Sequence, residues 1–461
     1  MAEFVHRSRL DASAEAVFAW HARPGAFERL LPPWENVEVL ERTGGITEGA
    51  RLVMAIRRGP LRRRWTAVVR DCREGREFRD LQVEGPFAAW QHTHRFLPQG
   101  EAASVLEDEV VYELPGGPLG RLVGGGFAER ALARLFRFRH ERTRADLARH
   151  AAVAARGPQR IAVTGASGLV GASLTAFLES GGHRVERLVR RAPRPGTAEI
   201  RWDPARGEID AAALEGADAV VHLAGENVGS GRWTDARKAA IRASRVAGTE
   251  LLAGALARLA RPPRVLVSAS AVGYYGARGD EELTEESPPG AGFLADVCRA
   301  WEAATDPARR AGLRVVNLRI GVVLAARGGA LARMLTPFRL GAGGVVGSGR
   351  QVVSWIALDD LVGAIHHVVF VDDVAGPVNA VAPGAVTNAD LTHTLGRVLG
   401  RPAVLPLPAP AVRLAFGEMG QALLLDGVRV RPGRLTGAGF RFLHPDLEGA
   451  LRAELGRGAA R

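Results

Sequence analysis

The alternation of hydrophobic and polar positions divides the first 150 residues into strands and helices. "FVHRSRL" (4–10) alternates apolar and polar residues with a period of two, as a half-buried strand does. "SAEAVFAWHA" follows with helical spacing, and Ser13 is a suitable N-cap with Glu15 in the first turn. Five further strand-like runs lie between turns rich in Gly, Pro or charge: "RLVMAI", "RWTAVVRDC", "FRDLQVE", "AAWQHTHRFL" and "SVLEDEVVYEL".

A long amphipathic helix closes this block, with Leu132, Leu135, Phe136 and Leu147 at helical spacing. Strand, short helix, antiparallel strands and a long terminal helix predict an α+β helix-grip domain over residues 1–153. This order resembles the START-like (SRPBCC, polyketide-cyclase-type) superfamily. The resemblance implies a sheet that encloses an apolar cavity for a hydrophobic ligand. A filled core without a ligand is the alternative, and the sequence does not decide between them.

The hydrophobic period changes after the linker "ARGPQR" (155–160). Short apolar runs now alternate with helical patterns of 10 to 15 residues, which is typical of βαβ units and a parallel sheet. The runs are "RIAVTG", "HRVERLVRR", "DAVVHLAG", "RVLVSAS" and "LRVVNLRIGVVL". We therefore predict a Rossmann doubly wound parallel sheet over residues 159–375. Helices and short strands alternate over residues 376–461, which predicts a small C-terminal α/β cap on the substrate side.

The stretch "RIAVTGASGLVGASLTAFLESGG" predicts a phosphate-binding loop. A strand leads into a turn that contains Gly165, Gly168 and Gly171, and a helix follows. Glycines allow a tight turn and a close approach of the backbone to a pyrophosphate, and the helix N-terminus offers N–H groups to it. The sequence therefore predicts a dinucleotide cofactor.

The end of the second strand of this sheet indicates which dinucleotide is bound. An NAD site usually has an acidic residue there, which binds the ribose 2′-hydroxyl group. This chain has Arg190 and Arg191 instead, with no acid nearby in the sequence. Guanidinium groups can bind a 2′-phosphate through two hydrogen bonds. We therefore expect NADP as the cofactor in preference to NAD.

Composition and charge narrow the class of protein. The chain has 47% hydrophobic and 24% charged residues, and its two cysteines form no CxxC motif, so we expect no metal site of that kind. The net charge of +11 comes from arginines spread along the chain among acidic residues, which favours a solvated surface over a nucleic-acid partner. No stretch has the apolar length of a signal peptide or a membrane span, so we expect a cytoplasmic protein. The oligomeric state is left open.

Several ordered motifs resemble one family. "TGASGLVG", "WDP", "VVHLAGENV", "SASAVGYYG", "FLADVCRAWE" and "GSGRQVVSWIALDDL" are similar to the atypical, epimerase-like branch of the short-chain dehydrogenase/reductase superfamily. The last block resembles that family's C-terminal domain of unknown function, through "LLLDGVRVRP" and "GFRFLHPDLEGAL". The resemblance implies that these residues contact the cofactor: Gly165, Ser167, Gly168, Leu169, Val170, Gly171, Arg190, Arg191, Ala224, Gly225, Glu226 and Arg232.

The catalytic pair usual in such relatives is missing. A Tyr-x-x-x-Lys motif on the helix "FLADVCRAWEAA" would supply a tyrosine and the cation that assists it, but Leu294 and Cys298 occupy the corresponding positions. The one lysine of the chain, Lys238, lies upstream in a predicted helix.

The stretch "SASAVGYYG" (268–276) offers substitutes for the missing pair. We expect Ser268 and Ser270 to line the nicotinamide, and Tyr274 or Tyr275 to act as an unassisted proton donor with the ordinary phenol pKa of about 10. The alternative is that "GYYG" is only a packed turn. The sequence thus predicts an NADP(H)-dependent oxidoreductase or epimerase-like enzyme for an unknown small substrate. An NADPH-binding sensor or ligand-binding protein without catalysis is the alternative.

Overall fold

The chain forms two compact units. The computed structural model describes residues 1–59 and 61–458. The first unit comprises Met1–Gly157 with Ala176–Gly182 and the C-terminal residues from Ala453, and the second comprises Pro158–Thr175 and His183–Arg452. Within the described residues, no helix combines the length and the apolar character that crossing a bilayer requires.

Within the first unit, the described residues between Ala2 and Ala151 form one antiparallel sheet and three α-helices. Its elements are β1 (Ala2–Leu10), α1 (Ala14–Ala22), α2 (Ala26–Leu30), β2 (Asn36–Thr43), β3 (Arg51–Arg58), β4 (Leu61–Arg73), β5 (Glu77–Glu84), β6 (Ala89–Pro98), β7 (Ser104–Glu113) and α3 (Gly117–Ala151). The strand order is β1-β7-β6-β5-β4-β3-β2. Ser13 caps α1 as predicted, because its side chain accepts a hydrogen bond from the N–H of Ala16. The predicted helix-grip fold is confirmed.

One strand of this sheet has no counterpart among the predicted runs. β2 is the edge strand, and its pairing with β3 shifts register between Val39 and Glu41. Such a bulge interrupts the period-two pattern on which strand prediction depends. Most of β2 is also exposed, so its sequence carries little hydrophobic signal.

The inner face of the sheet and α3 enclose a cavity of about 590 Å³ in the first unit. Its wall is largely apolar, with Met54, Trp65, Phe78, Leu132 and Leu135 among the lining residues. The alternative of a completely filled core is therefore excluded.

The chain from Arg160 onward alternates strands and helices. Its elements are β8 (Arg160–Thr164), α4 (Leu169–Ser180), β9 (Arg184–Val189), β10 (Glu199–Asp203), β11 (Glu208–Ile209), β12 (Ala219–His222), α5 (Asp235–Leu256), β13 (Val265–Ala271), β14 (Glu282–Leu283), α6 (Phe293–Ala303), α7 (Asp306–Arg310), β15 (Arg314–Ile320), β16 (Val322–Leu324), α8 (Gly329–Arg339), β17 (Val352–Val353), β18 (Trp355–Ala357), α9 (Leu358–Phe370), β19 (Gly376–Ala380), β20 (Val386–Thr387), α10 (Asn388–Leu399), α11 (Ala409–Phe416), α12 (Glu418–Gly420), β21 (Arg429–Val430), α13 (Gly433–Gly437) and α14 (Leu447–Leu455).

Eight of these strands form one sheet in the order β11-β10-β9-β8-β12-β13-β15-β19. All neighbouring pairs are parallel except β10 with β11. The central strands are apolar and fully buried, as at Ile161–Val163 and Val265–Val267, because helices cover both faces of such a sheet. The predicted doubly wound parallel sheet is confirmed.

Residues 376–452 belong to the second unit. β19, at their start, is the edge strand of the large sheet. Three small two-stranded pairings, β14 with β21, β16 with β18 and β17 with β20, join further segments of this unit. The predicted boundary at residue 375 therefore falls immediately before a strand of the large sheet.

Candidate active site

The order of the strands reverses its direction at β8. From β8 the chain continues to β9 and β10 on one side of the sheet and then returns to β12, β13 and β15 on the other. In open parallel sheets, ligands bind outside the carboxyl ends of the strands where the direction reverses in this way. By this rule the candidate ligand site lies beside the loops that follow β8 and β12.

The predicted phosphate loop forms the turn between β8 and α4. Gly165 has a φ of +67°, and a Cβ there would lie 2.9 Å from the backbone of Leu223 and Ala224. A Cβ on Gly171 would lie 2.1 Å from the carbonyl oxygen of Gly165. Both positions therefore require glycine, and the space that side chains would fill belongs to closely packed backbone. Ser167, Gly168, Leu169 and Val170 lie in the same turn and in the first turn of α4, and the N–H groups at such a helix N-terminus can bind an anion.

A buried polar network joins this loop to the next strand. The Oγ1 of Thr164 lies 2.7 Å from the Nδ1 of His222, and it accepts hydrogen bonds from the backbone N–H groups of Leu223 and Ala224. The Nε2 of His222 lies 2.9 Å from the Oγ1 of Thr249. Burial lowers the pKa of His222 to about 4, so the ring is neutral and acts as a link between strands. The sequence analysis missed this network, although Thr164 and His222 end their strands.

The segment after β12 carries other predicted cofactor contacts. Ala224 lies beside the phosphate loop through its bond to Thr164. The backbone N–H of Glu226 donates to the Oγ of Ser244, and its carboxylate lies 2.8 Å from the guanidinium of Arg237. Gly225, between them, lies against the guanidinium of Arg245, since a Cβ there would be 3.4 Å from its Cζ.

Arg232 makes a different contact. Its guanidinium is exposed and donates to the carbonyl oxygen of Leu414 at 3.0 Å. The adjacent Trp233 is buried and donates from Nε1 to the carbonyl of Val228.

Arg190 and Arg191 follow the end of β9 and are exposed. The expectation that no acid lies near them is wrong. Glu199, the first residue of β10, lies 2.9 and 2.5 Å from the guanidinium nitrogens of Arg191, and Arg194 donates to it at 2.9 Å. Hydrogen bonds from Arg191 hold the pKa of Glu199 well below its usual range, so this carboxylate is ionised. It was missed because β10 pairs with β9 only in the folded sheet.

The two tyrosines of the "GYYG" stretch lie in a 3₁₀ turn, Val272–Tyr275, directly after β13. Tyr275 is fully buried; its hydroxyl donates to the Oδ1 of Asn379 at 2.7 Å and accepts from Arg319 at 2.9 Å. Burial raises the pKa of Tyr275, so the phenol is protonated at neutral pH. Tyr274 is half-buried, and the Cζ of Arg319 lies 3.5 Å from the centroid of its ring. The structure thus gives the two tyrosines different surroundings.

Arg319 is the centre of a buried polar cluster that the sequence analysis missed. It extends from β15 and forms two hydrogen bonds of 2.9 Å with Glu302 at the end of α6. Although burial disfavours the charge, these bonds raise the pKa of Arg319, so it stays protonated. Ser270 donates to the same carboxylate at 2.7 Å, whereas Ser268 is buried on the same strand. The expectation that no cation lies beside these tyrosines is therefore wrong, because the guanidinium of Arg319 lies against both phenol rings.

The helix α6 has the apolar side chain of Leu294 and the thiol of Cys298 at the positions of the missing Tyr-x-x-x-Lys motif. A Cβ on Gly273 would lie 3.2 Å from the Cβ of Leu294 and 3.9 Å from the Sγ of Cys298. Burial raises the pKa of Cys298 to about 12, so its thiol is neutral. Lys238 forms an ion pair with Glu418.

Comparison with known proteins identifies the family. A family described as "NAD dependent epimerase/dehydratase family" matches residues 161–379. Epimerase family protein Mb2239 of Mycobacterium bovis is 46% identical over 291 residues, which are 63% of this chain and 96% of the relative. The chain belongs to the NAD dependent epimerase/dehydratase family. Another relative within the epimerase family is human SDR39U1, which is 41% identical over 64% of this chain and 98% of its own length.

The flanking regions and the fold agree with this family. Residues 10–138 match the family "Polyketide cyclase / dehydrase and lipid transport", and residues 407–454 match a domain of unknown function, DUF1731. A solved structure from Corynebacterium glutamicum, described as a nucleoside-diphosphate sugar epimerase, is 34% identical with a TM-score of 0.81 and covers 98% of this chain and 90% of its own. Human SDR39U1 (isoform 2), solved with NADPH, is 38% identical with a TM-score of 0.59 and covers 64% and 99%. The resemblances inferred from the sequence are confirmed.

Proposed function

We propose that this NAD(P)-binding protein of the epimerase family is an NADP(H)-dependent oxidoreductase or epimerase-like enzyme for a small carbonyl or sugar-like substrate, with Tyr274 as the proton donor. The observation that carries the proposal is the guanidinium of Arg319, 3.5 Å from the centroid of the Tyr274 ring. Arg319 thus places a positive charge next to β13. Leu294 and Cys298 on α6 supply no such charge.

The preference for NADP rests on the arginines after β9. Arg190, Arg191 and Arg194 place three cations in one short segment, and Glu199 accepts hydrogen bonds from Arg191 and Arg194. A 2′-phosphate carries more negative charge than a single carboxylate and accepts several charge-assisted hydrogen bonds. The NADPH present in the structure of human SDR39U1 supports the same preference here.

Tyr274 is a better candidate for proton donor than Tyr275. The hydroxyl of Tyr275 already bonds to Asn379 and Arg319 in a fully buried position. Tyr274 is partly accessible and precedes it in the turn that follows Ser268 and Ser270. NADPH, when bound, would supply a hydride to a carbonyl carbon. Tyr274 would give its proton to the resulting alkoxide, and Arg319 would stabilise the negative charge left on the phenol oxygen.

The test is the consumption of NADPH with a panel of aldehydes, ketones and nucleotide sugars. Once a substrate is found, Tyr274→Phe should lower kcat by about 10²-fold or more and leave the Kd for NADPH unchanged, as expected for a lost general acid. Tyr112→Phe is the matched control, because Tyr112 is the one tyrosine outside the "GYYG" stretch and belongs to the first unit. Full activity of Tyr274→Phe would show that this turn has only a structural role.

The absence of the usual pair favours one second candidate. Leu294 has no ionisable group, and burial keeps the proton on the thiol of Cys298 at neutral pH, so neither supplies a cation or a readily released proton. This suits a protein that binds NADPH without turnover. In that case the apolar cavity of the first unit would hold a hydrophobic ligand, and the protein would act as a sensor that responds to bound NADPH. Tight NADPH binding with no turnover of any carbonyl in the panel would support this candidate.

A further inference from the structure

Three neighbouring strands of the first unit carry ionisable side chains on one face. His92 and His94 lie two residues apart on β6, so both side chains point to the same side of the sheet. Asp80 on β5 pairs directly with His92, and Asp108 on β7 pairs directly with His94. Asp80 and both histidines line the 590 Å³ cavity. A cavity that is otherwise mostly apolar thus has one polar corner.

The distances in this corner are those between ligands of one metal ion. The Oδ2 of Asp80 lies 3.0 Å from the Nδ1 of His92 and 3.4 Å from the Nε2 of His94. All three atoms lie within 4.8 Å of one another. Two ligand atoms that are each about 2.1 Å from one metal ion lie about 3.0 Å apart when the ligand–metal–ligand angle is a right angle. They lie about 3.4 Å apart when that angle is tetrahedral.

The far sides of both imidazole rings face the same carboxylate. The Oδ1 of Asp108 lies 2.7 Å from the Nε2 of His92 and 2.6 Å from the Nδ1 of His94. Its Oδ2 lies 2.5 Å from the Nε2 of His140 on α3. Metal-binding histidines usually have such a carboxylate on the second ring nitrogen, where it sets the orientation and tautomer of the ring. Asp108 therefore positions the ring of His92 through a hydrogen bond and lies beside the ring of His94, and the second nitrogen of each ring faces Asp80.

The charges in this corner are compatible with a bound cation. His92, His94 and Asp108 are buried, whereas the side chain of Asp80 is 23% exposed. Two carboxylates in such a place require nearby positive charge. Arg139 lines the same cavity, and its guanidinium, which donates to the carbonyl of Leu30, contributes positive charge near Asp80 and Asp108. One divalent cation between the two histidines and Asp80 would add further positive charge.

We propose that Asp80, His92 and His94 bind one divalent first-row metal ion, of the class from Fe²⁺ to Zn²⁺, on the wall of the cavity. Two imidazoles and one carboxylate suit these ions and leave coordination positions open. The open positions face the cavity. A ligand with an apolar body and an anionic oxygen, such as a carboxylate, would satisfy both the metal and the apolar wall.

The test uses the full-length protein after chelator treatment, titrated with Zn²⁺ by calorimetry and with Co²⁺ by absorption. We expect one equivalent of Zn²⁺, and X-ray absorption of that complex should show only nitrogen and oxygen ligands with two imidazoles. Asp80→Asn and His94→Gln should each weaken Zn²⁺ binding by about 10²-fold or more. His367→Gln, which removes a partly buried histidine of the second unit, is the matched control and should bind as the parent does.

Three results would overturn the proposal. They are no binding of either ion, unchanged Zn²⁺ affinity in both site variants, and loss of binding in His367→Gln. Should a site variant fail to fold, as judged by circular dichroism, the X-ray absorption spectrum of the parent protein still decides. A sulfur ligand, or fewer than two imidazoles, would contradict the assigned ligands.

Discussion

Replacement of Arg319 by methionine tests the buried cluster at the end of β13. Arg319 is 3% exposed, and its side chain forms two hydrogen bonds with Glu302, one with the Tyr275 hydroxyl and one with the carbonyl of Glu285. Arg319→Met would leave the Glu302 carboxylate nearly buried without its cation. Removing one partner of a buried ion pair destabilises a protein by about 3–5 kcal/mol, because the remaining charge is uncompensated.

The double variant Arg319→Met/Glu302→Leu separates two contributions to the lost stability. One is the attraction between Arg319 and Glu302, and the other is the cost of a buried Glu302 carboxylate without its cation. With both charges removed, we expect at least half of the lost stability to return, since an apolar pair of similar volume avoids the desolvation cost. Because the chain has two units, a single global unfolding curve is not a safe measure of the second unit alone.

Hydrogen exchange gives the required local measurement. Peptides that cover β13 and β15 should exchange about 10²-fold faster in Arg319→Met, the factor that corresponds to about 3 kcal/mol. Peptides from β6 and β7 of the first unit serve as the internal reference. If the double variant exchanges as fast as the single one, the uncompensated charge is not the cause, and the reasoning is refuted.

Two further predictions concern the cofactor and the first unit. Arg190→Ala should weaken NADPH binding by about 1.5–3 kcal/mol and leave NADH binding unaffected, whereas Glu199→Gln, which releases Arg191 and Arg194, should tighten NADPH binding. Fluorescence titration measures both effects. Equal losses of affinity for the two cofactors in Arg190→Ala would contradict the assignment of Arg190 to the 2′-phosphate. A fragment of residues 1–157 should be soluble and unfold cooperatively, since it contains the hydrophobic clusters formed by its sheet, α1 and α3. A molten product would show that it needs Ala176–Gly182 and the residues from Ala453, which belong to the same unit.

The sequence predicted those features that depend on neighbouring residues. The glycines of the phosphate loop, at 165, 168 and 171, lie within seven residues of one another, so strand, turn and helix were visible together. Arg319 and Glu302 come from different elements and meet only through the pairing of β13 with β15 and the packing of α6. The sole local signal was a charged residue within the apolar run "LRVVNLRIGVVL".

The His–Asp corner was hidden for a similar reason. The spacing of His92 and His94 is visible in "QHTH", and it places both rings on one face of a strand. Asp80 and Asp108 join them only when the register of β5, β6 and β7 is known. Strand register depends on pairing across turns of different length, which hydrophobic patterns alone do not specify.

Glu199 bears on how cofactor use could diverge among descendants of this chain. Its carboxylate belongs to β10, outside the phosphate loop, and accepts hydrogen bonds from Arg191 and Arg194, which follow β9. A single nucleotide change at its codon would therefore alter the charge offered to the ribose without disturbing the glycine turn. Lineages with different supplies of NADH and NADPH would then be able to change their cofactor preference in small steps. The pyrophosphate-binding turn would stay intact at every step.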